Sequence, residues 1–195
     1  MSVIFGIVDQ GKIIIAGDKR LSSIDGKLIS DDGQKVIAVN DRLAIATAGN
    51  AAIEKAILTD VEKSCNTSNL ITDDLVDVIQ NFYKRVLENN CGSIYMLPFY
   101  CLIAGMGRDG NAHLVNAGKF KDGFSAKDAP MALYHPADTK QNDCNQIFVK
   151  NYKLHHGDFC ERTVQEISAI SKIVSQTGNK WVYDIFSKKG TMYDF

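Results

Sequence analysis

A charge imbalance is the first thing this 195-residue chain lacks: 22 Lys plus Arg stand against 23 Asp plus Glu, a net charge of -1. Without a basic excess there is no electrostatic footprint for nucleic acid, and none is expected as a partner. No apolar run reaches the roughly 18 residues of a membrane span, so no membrane partner is expected either. Proline is scarce, with three residues against fifteen glycines, which excludes collagen-like and proline-rich disordered classes. No Cys-x-x-Cys occurs. Cys65, Cys91, Cys101, Cys144 and Cys160 are odd in number and widely spaced, which argues against a disulfide framework or a structural zinc site. Reduced, packed thiols in a cytoplasmic protein are the simpler expectation. The opening Met1-Ser2-Val3-Ile4-Phe5-Gly6 has neither the basic region nor the small-residue cleavage site of a signal peptide. A Gly-x-Ser-x-Gly elbow is also missing. What is present, 45% hydrophobic residues over this length, suits one compact domain over residues 1–195.

Short apolar runs dominate the first fifty residues. Val3 to Val8 and Lys12 to Ala16 flank Asp9-Gln10-Gly11 and read as a hairpin. Lys35 to Val39 and Leu43 to Ala48 form a second pair. Their near-continuous apolar character predicts strands covered on both faces. Ile53, Ile57 and Val61 then recur at helical spacing after Gly49-Asn50. Thr72 is the expected N-cap of a second helix, with Leu75, Ile79, Phe82 and Val86 on its apolar stripe and Asn89-Asn90-Cys91-Gly92 at its end. Strands resume at Phe99 to Ala104 and Ala112 to Asn116. A third helix is expected over Asp158 to Gln176, closed by Gly178, and a last strand over Trp181 to Phe186. Strands before and after helices, without one-by-one alternation, favour a layered α+β protein.

Three motifs invite a chemical reading. Gly105-Met106-Gly107-Arg108-Asp109-Gly110 matches a dinucleotide fingerprint, but that motif needs a helix directly after it. Asn111 to Val115 alternates like a strand, so a hairpin turn is expected. His155 and His156 are adjacent and point apart, and His113 sits in a strand, so no metal and no cofactor is expected. Ser2 is different. If Met1 is removed, Ser2 carries a hydroxyl and a free α-amine of ordinary pKa about 7.7–8.0, which can serve as general base for its own hydroxyl.

The sequence around Ser2 extends this. Ser2-Val-Ile-Phe-Gly6-Ile-Val, Gly11-Lys-Ile-Ile-Ile-Ala-Gly17-Asp18-Lys19-Arg20-Leu-Ser22, Gly33-Gln-Lys35-Val-Ile and Leu43-Ala-Ile-Ala46-Thr-Ala48-Gly49-Asn50 together resemble the proteasome β-subunit and HslV family of N-terminal-nucleophile hydrolases. The match is specific over about the first fifty residues and compatible over 50–118. The resemblance implies a four-layer αββα sandwich with two antiparallel sheets face to face. It implies Ser2 as nucleophile, where Thr is usual, and Lys35 as the buried cation beside it. Asp18 would be the carboxylate paired with Lys35. Ala46 would stand at the oxyanion-binding N–H position, Ser22 and Ala48 where extended substrate adds as a strand, and Gly49 at the turn into the helix. Thr177-Gly178 resembles the family's late Ser-Gly. The implied activity is hydrolysis of a peptide or other amide bond, in a possible homo-oligomeric ring with a possible ATPase partner.

The chain also departs from that pattern. No Gly-Ser-Gly follows the central strands; Pro130 to Asp138 stands in its place. The carboxylate expected before the late Ser-Gly falls near Val174. A catalytically inactive assembly subunit is therefore the alternative.

Overall fold

The structure is a computed structural model, and it describes residues 2–22, 27–64, 67–89, 98–120 and 123–195. Cys65, Cys91 and the helix-ending residues from Asn90 to Gly92 lie outside them, as does Met1. Cys101, Cys144 and Cys160 are free and buried.

The first hairpin joins β1 (Ile4–Asp9) to β2 (Lys12–Asp18), with Asp9 opposite Lys12. Its two-residue connection places both Gln10 and Gly11 at positive φ, 45° and 76°. That backbone twist suits a tight hairpin. β3 (Leu21–Ser22) and β4 (Leu28–Ser30) form a small ribbon. β5 (Val36–Asn40) and β6 (Leu43–Gly49) pair, and the chain turns into α1 (Ala51–Ser64) and then α2 (Thr72–Glu88). After these come β7 (Phe99–Met106), β8 (Ala112–Phe120), β9 (Gly123–Asp128), β10 (Met131–Tyr134), α3 (Gln141–Leu154), α4 (Phe159–Ile170), β11 (Gly178–Asp184) and β12 (Lys189–Asp194).

The strands assemble as two five-stranded antiparallel sheets, ordered β10-β1-β2-β11-β12 and β5-β6-β7-β8-β9. Alternation along the strands divides the core into three layers. Ile4, Ile13, Ile15, Ala46, Ala48, Leu102 and Trp181 meet between the sheets. Leu43, Ile45, Phe99 and Ile103 turn outward to Ile53, Ile57, Leu75, Ile79 and Tyr83 of α1 and α2. Val3, Phe5 and Ile7 turn the other way, to Cys144 and Phe148 of α3 and Cys160, Val164 and Ile167 of α4. The expected four-layer αββα sandwich with two antiparallel sheets is the observed architecture.

Several element boundaries differ from expectation. Ile71, not Thr72, is the N-cap of α2; Thr72 is already helical, and its buried hydroxyl donates to the Met106 carbonyl at 3.2 Å. Asp74 instead accepts from the Ile71 N–H at 3.3 Å. The helix expected to run to Gln176 stops at Ile170. There Asp138 accepts hydrogen bonds from the Ser171 hydroxyl and the Lys172 N–H, both 2.8 Å, which pulls the chain out of helix. The last expected strand begins earlier, at Gly178, and ends at Asp184, leaving Phe186 85% exposed in the turn to β12. β9, β10, β12 and α3 were not foreseen. The glycine-rich segment 105–110 is a hairpin turn, closed by the Gly107 N–H on the Asn111 carbonyl at 2.7 Å and followed by a strand. No helix receives a phosphate there, so the dinucleotide motif has no structural context.

Candidate active site

Five strand ends converge at one end of the sandwich: the start of β1, the end of β2, the start of β5, the end of β6 and the start of β11. Ile4 lies opposite Gly17, Asp18 opposite Gly178, and Val36 opposite Ala46. β1 is an interior strand between β10 and β2. Ser2 precedes it and is buried, 4% exposed. The Asp18 N–H donates to the Val3 carbonyl at 3.2 Å, so strand pairing continues past the end of β1. Val3 faces the α3–α4 layer, and alternation therefore turns Ser2 to the gap between the sheets.

Asp18 organises this end of the molecule. It is fully buried, and its carboxylate accepts three backbone N–H groups: Val3 at 3.1 Å, Arg20 at 2.9 Å and Ser175 at 3.3 Å. The residue after Ser2 is thus fastened to the carboxylate. Burial pushes the Asp18 carboxyl up to about 6, while the nearby Lys35 ammonium and the three N–H groups pull it back. Lys35 is 7% exposed. Burial lowers its affinity for a proton, and the negative charges of Asp18 and Glu54 oppose that effect. Glu54, in the first turn of α1, is itself pushed up by burial and accepts a hydrogen bond from the Thr47 hydroxyl. Lys35 therefore feels the negative charge of two buried carboxylates, which offsets part of the cost of burying a cation.

Glycine and asparagine fix the lysine's position. A Cβ at Gly17 would lie 2.8 Å from the Lys35 Cβ, so only a glycine lets the lysine stem cross β2 there. Asn179, fully buried on β11, receives the Val36 N–H at 3.3 Å and donates to the Val36 carbonyl at 2.8 Å. This amide ties the start of β5 to the opposite sheet, immediately after Lys35. Ser175 completes the support. Its hydroxyl accepts from the Lys19 N–H at 2.9 Å and donates to the Thr177 carbonyl at 2.7 Å.

The other expected residues occupy varied places. Thr177 is exposed; its carbonyl also accepts the Lys19 N–H at 3.1 Å. The Ser22 hydroxyl is buried on β3 and meets no hydrogen-bond partner among the described residues. Ala48 is buried between the sheets at the site end of β6. Ala46 lies further into the same layer. The Thr47 N–H donates across to the Lys35 carbonyl at 2.9 Å, so alternation turns the Ala46 N–H the other way, into the ladder opposite Leu102. Gly49 ends the strand with φ +131°, and a Cβ there would lie 2.6 Å from the Pro98 carbonyl oxygen. By the same alternation its N–H points to the β5 side, beyond the start of β5, and finds no acceptor among the described residues. Asn50 follows and caps α1, its side chain accepting from the Ala52 N–H at 2.8 Å.

Sequence reasoning missed Glu54, Ser175 and Asn179. Their partners lie 7 to 157 residues away along the chain, and only the folded structure pairs them. No group of three or more His, Cys, Asp or Glu side chains suited to a metal ion occurs among the described residues. No helix among them is long and apolar enough to cross a membrane.

Comparison with curated proteins gives no match. A family model described as proteasome subunit matches residues 2–118, more than half of the chain and all of the strand ends around Ser2 except that of β11. The two antiparallel sheets, the helical layers outside them and this match agree: the chain belongs to the proteasome subunit family.

Proposed function

We propose that this proteasome-family chain hydrolyses peptide or other amide bonds through an acyl-enzyme on Ser2, after loss of Met1. The observation that carries the reading is the arrangement around Asp18. One carboxylate holds the backbone of Val3, next to the nucleophile, and shares its surroundings with a buried lysine. The freed α-amine of Ser2 takes the hydroxyl proton as the oxygen attacks the substrate carbonyl carbon. Lys35 supplies the positive potential that lowers the proton affinity of that oxygen. The oxyanion of the tetrahedral adduct needs a free N–H donor. Gly49 is better suited than Ala46, because its N–H has no ladder partner and adjoins the positive end of α1. Collapse breaks the C–N bond, and the leaving amine takes the proton from the Ser2 ammonium. Water, deprotonated by the same amine, then attacks the ester, releasing the acid and restoring the hydroxyl. The carbonyl-side partner is a peptide or amide substrate lying extended between β3, at Ser22, and β6, at Ala48. By analogy with the family, the chain works in the cytoplasm as a homo-oligomeric ring, served by an ATPase.

A second reading, a non-catalytic assembly subunit, is favoured by Thr177 and Val174. The first is exposed, and the second puts a buried apolar side chain where the family carries a carboxylate.

Intact mass and peptide hydrolysis separate the two. The expected result is a protein lacking Met1 whose hydrolysis falls at least about a thousandfold in Ser2→Ala and strongly in Lys35→Ala. A retained Met1 acylates the base and abolishes the mechanism. Equal rates in wild type and Ser2→Ala assign any cleavage to a contaminant.

A further inference from the structure

The segment Pro130 to Asp138, which replaces the family's Gly-Ser-Gly, contains β10, and β10 pairs directly with β1. Tyr134 lies opposite Ile4. Ile4 faces the gap between the sheets, and Tyr134 packs in the same layer, two pair positions from Ser2 on the flank opposite Lys35. Its hydroxyl donates to Asn116 of β8, on the facing sheet, so the ring spans the gap. Tyr100 stacks on it, with centroids 4.7 Å apart and planes 18° apart. Tyr100 is opposite Ala48 on β6 and Gly118 on β8. A Cβ at Gly118 would meet the Tyr100 ring at 3.0 Å, so glycine leaves the space in which this ring lies. Phe120, 38% exposed, extends the row at 5.3 Å from Tyr100. Three aromatic rings thus run from the flank of Ser2 to solvent, and both tyrosines are only partly buried.

We infer that Tyr134, Tyr100 and Phe120 form the specificity wall of the Ser2 site, and that the wall selects an aromatic side chain on the substrate. The inference rests on Ser2 as the reactive residue and adds the class of side chain. The Lys35 stem passes Gly17 on the β2 side of β1 and an apolar, planar surface lies on the β10 side, so substrate side groups are sorted towards the rings. Aromatic side groups gain most, because offset and edge contacts between rings add to the gain from burial alone. Tyr134 is held by Asn116 and acts as the positioning residue for Tyr100.

Binding tests this apart from turnover. In the Ser2→Ala protein, an acetylated tetrapeptide amide with a central Phe is titrated against the same peptide with Ala. The expected preference for Phe is about tenfold. Tyr100→Leu, which keeps apolar volume, brings the preference to within about twofold. Should Tyr100→Leu fail to fold, the more exposed Phe120→Ala still lowers the preference, by about threefold. Equal binding of both peptides, no binding of either, or a preference unchanged in the variants overturns the wall. The two readings fail separately. Peptide hydrolysis without aromatic preference removes the wall alone. An aromatic preference that depends on Tyr100, in a protein whose wild type cleaves nothing, keeps the wall and removes the hydrolase.

Discussion

Asp18 meets two opposing demands. Its burial favours the neutral acid, yet Lys35 and three N–H donors favour the carboxylate. The balance leaves its carboxyl raised from 3.8 to about 6, which has a definite sign. The native state takes up a proton between those values while the unfolded chain does not, so Asp18 adds stability as pH falls from about 6 to about 4. Urea unfolding at pH 7.5, 6 and 4.5 should show wild type gaining on Asp18→Asn as the pH drops. Wild type losing ground instead would mean that Lys35 holds the carboxyl below its ordinary range. The proposed hydrolysis should move in the opposite direction: already slowing as the Ser2 amine takes up its proton, it should drop further below about pH 6, where a neutral Asp18 leaves the Lys35 charge to Glu54 alone.

At the scale of elements, short and strongly patterned segments were legible, and segments defined by distant partners were not. β1, β2, β5 and β6 stood out because their residues are apolar and bounded by Asp9-Gln10-Gly11 and Asn40-Asp41-Arg42. α3 did not, because it fully buries only Cys144, Phe148 and Asn151, and its other apolar residues, Ile147, Val149, Tyr152 and Leu154, do not recur on one face at helical spacing. β9, β10 and β12 are half-exposed strands at or beside sheet edges, without a clear apolar rhythm. Val174 falls inside the helix expected over Asp158 to Gln176; it is buried, but from a loop. His113 gave no signal beyond its place in a strand. It bridges two carboxylates, Asp109 in the β7–β8 turn and Asp128 at the end of β9, each at 2.9 Å. Those partners, Asp109 first, raise its pKa above 6.5. The bridge's stabilisation is complete below the unfolded value near 6.5 and is lost as pH rises through the higher folded one. Melting temperatures of wild type and His113→Gln should differ at pH 5.5 and converge by pH 8.5. A constant difference would assign the histidine a packing role only.

At the scale of the whole molecule, Ser2, Asp18 and Lys35 were legible as candidates because the family pattern places them in the first thirty-five residues, at or just before the ends of short, continuous strands. The resemblance put the oxyanion donor at Ala46, while the proposed donor is Gly49, because the sequence shows small residues but not which N–H faces a ladder. Family membership implies assembly, and light scattering on the purified chain should give a particle several times the 21.5 kDa of one chain. A monomer at working concentration would remove the ring from the proposed function and leave the site at Ser2 to be judged by its chemistry.

β2 lies between β1 and β11, and the latter delivers Asn179 to Val36. A ribosome must therefore translate past residue 184 before the pocket around the second residue can close. Synthesis itself becomes a timer for the proposed chemistry: the emerging chain carries Ser2 exposed but unassembled, and the proposed hydrolysis would wait until the chain is made.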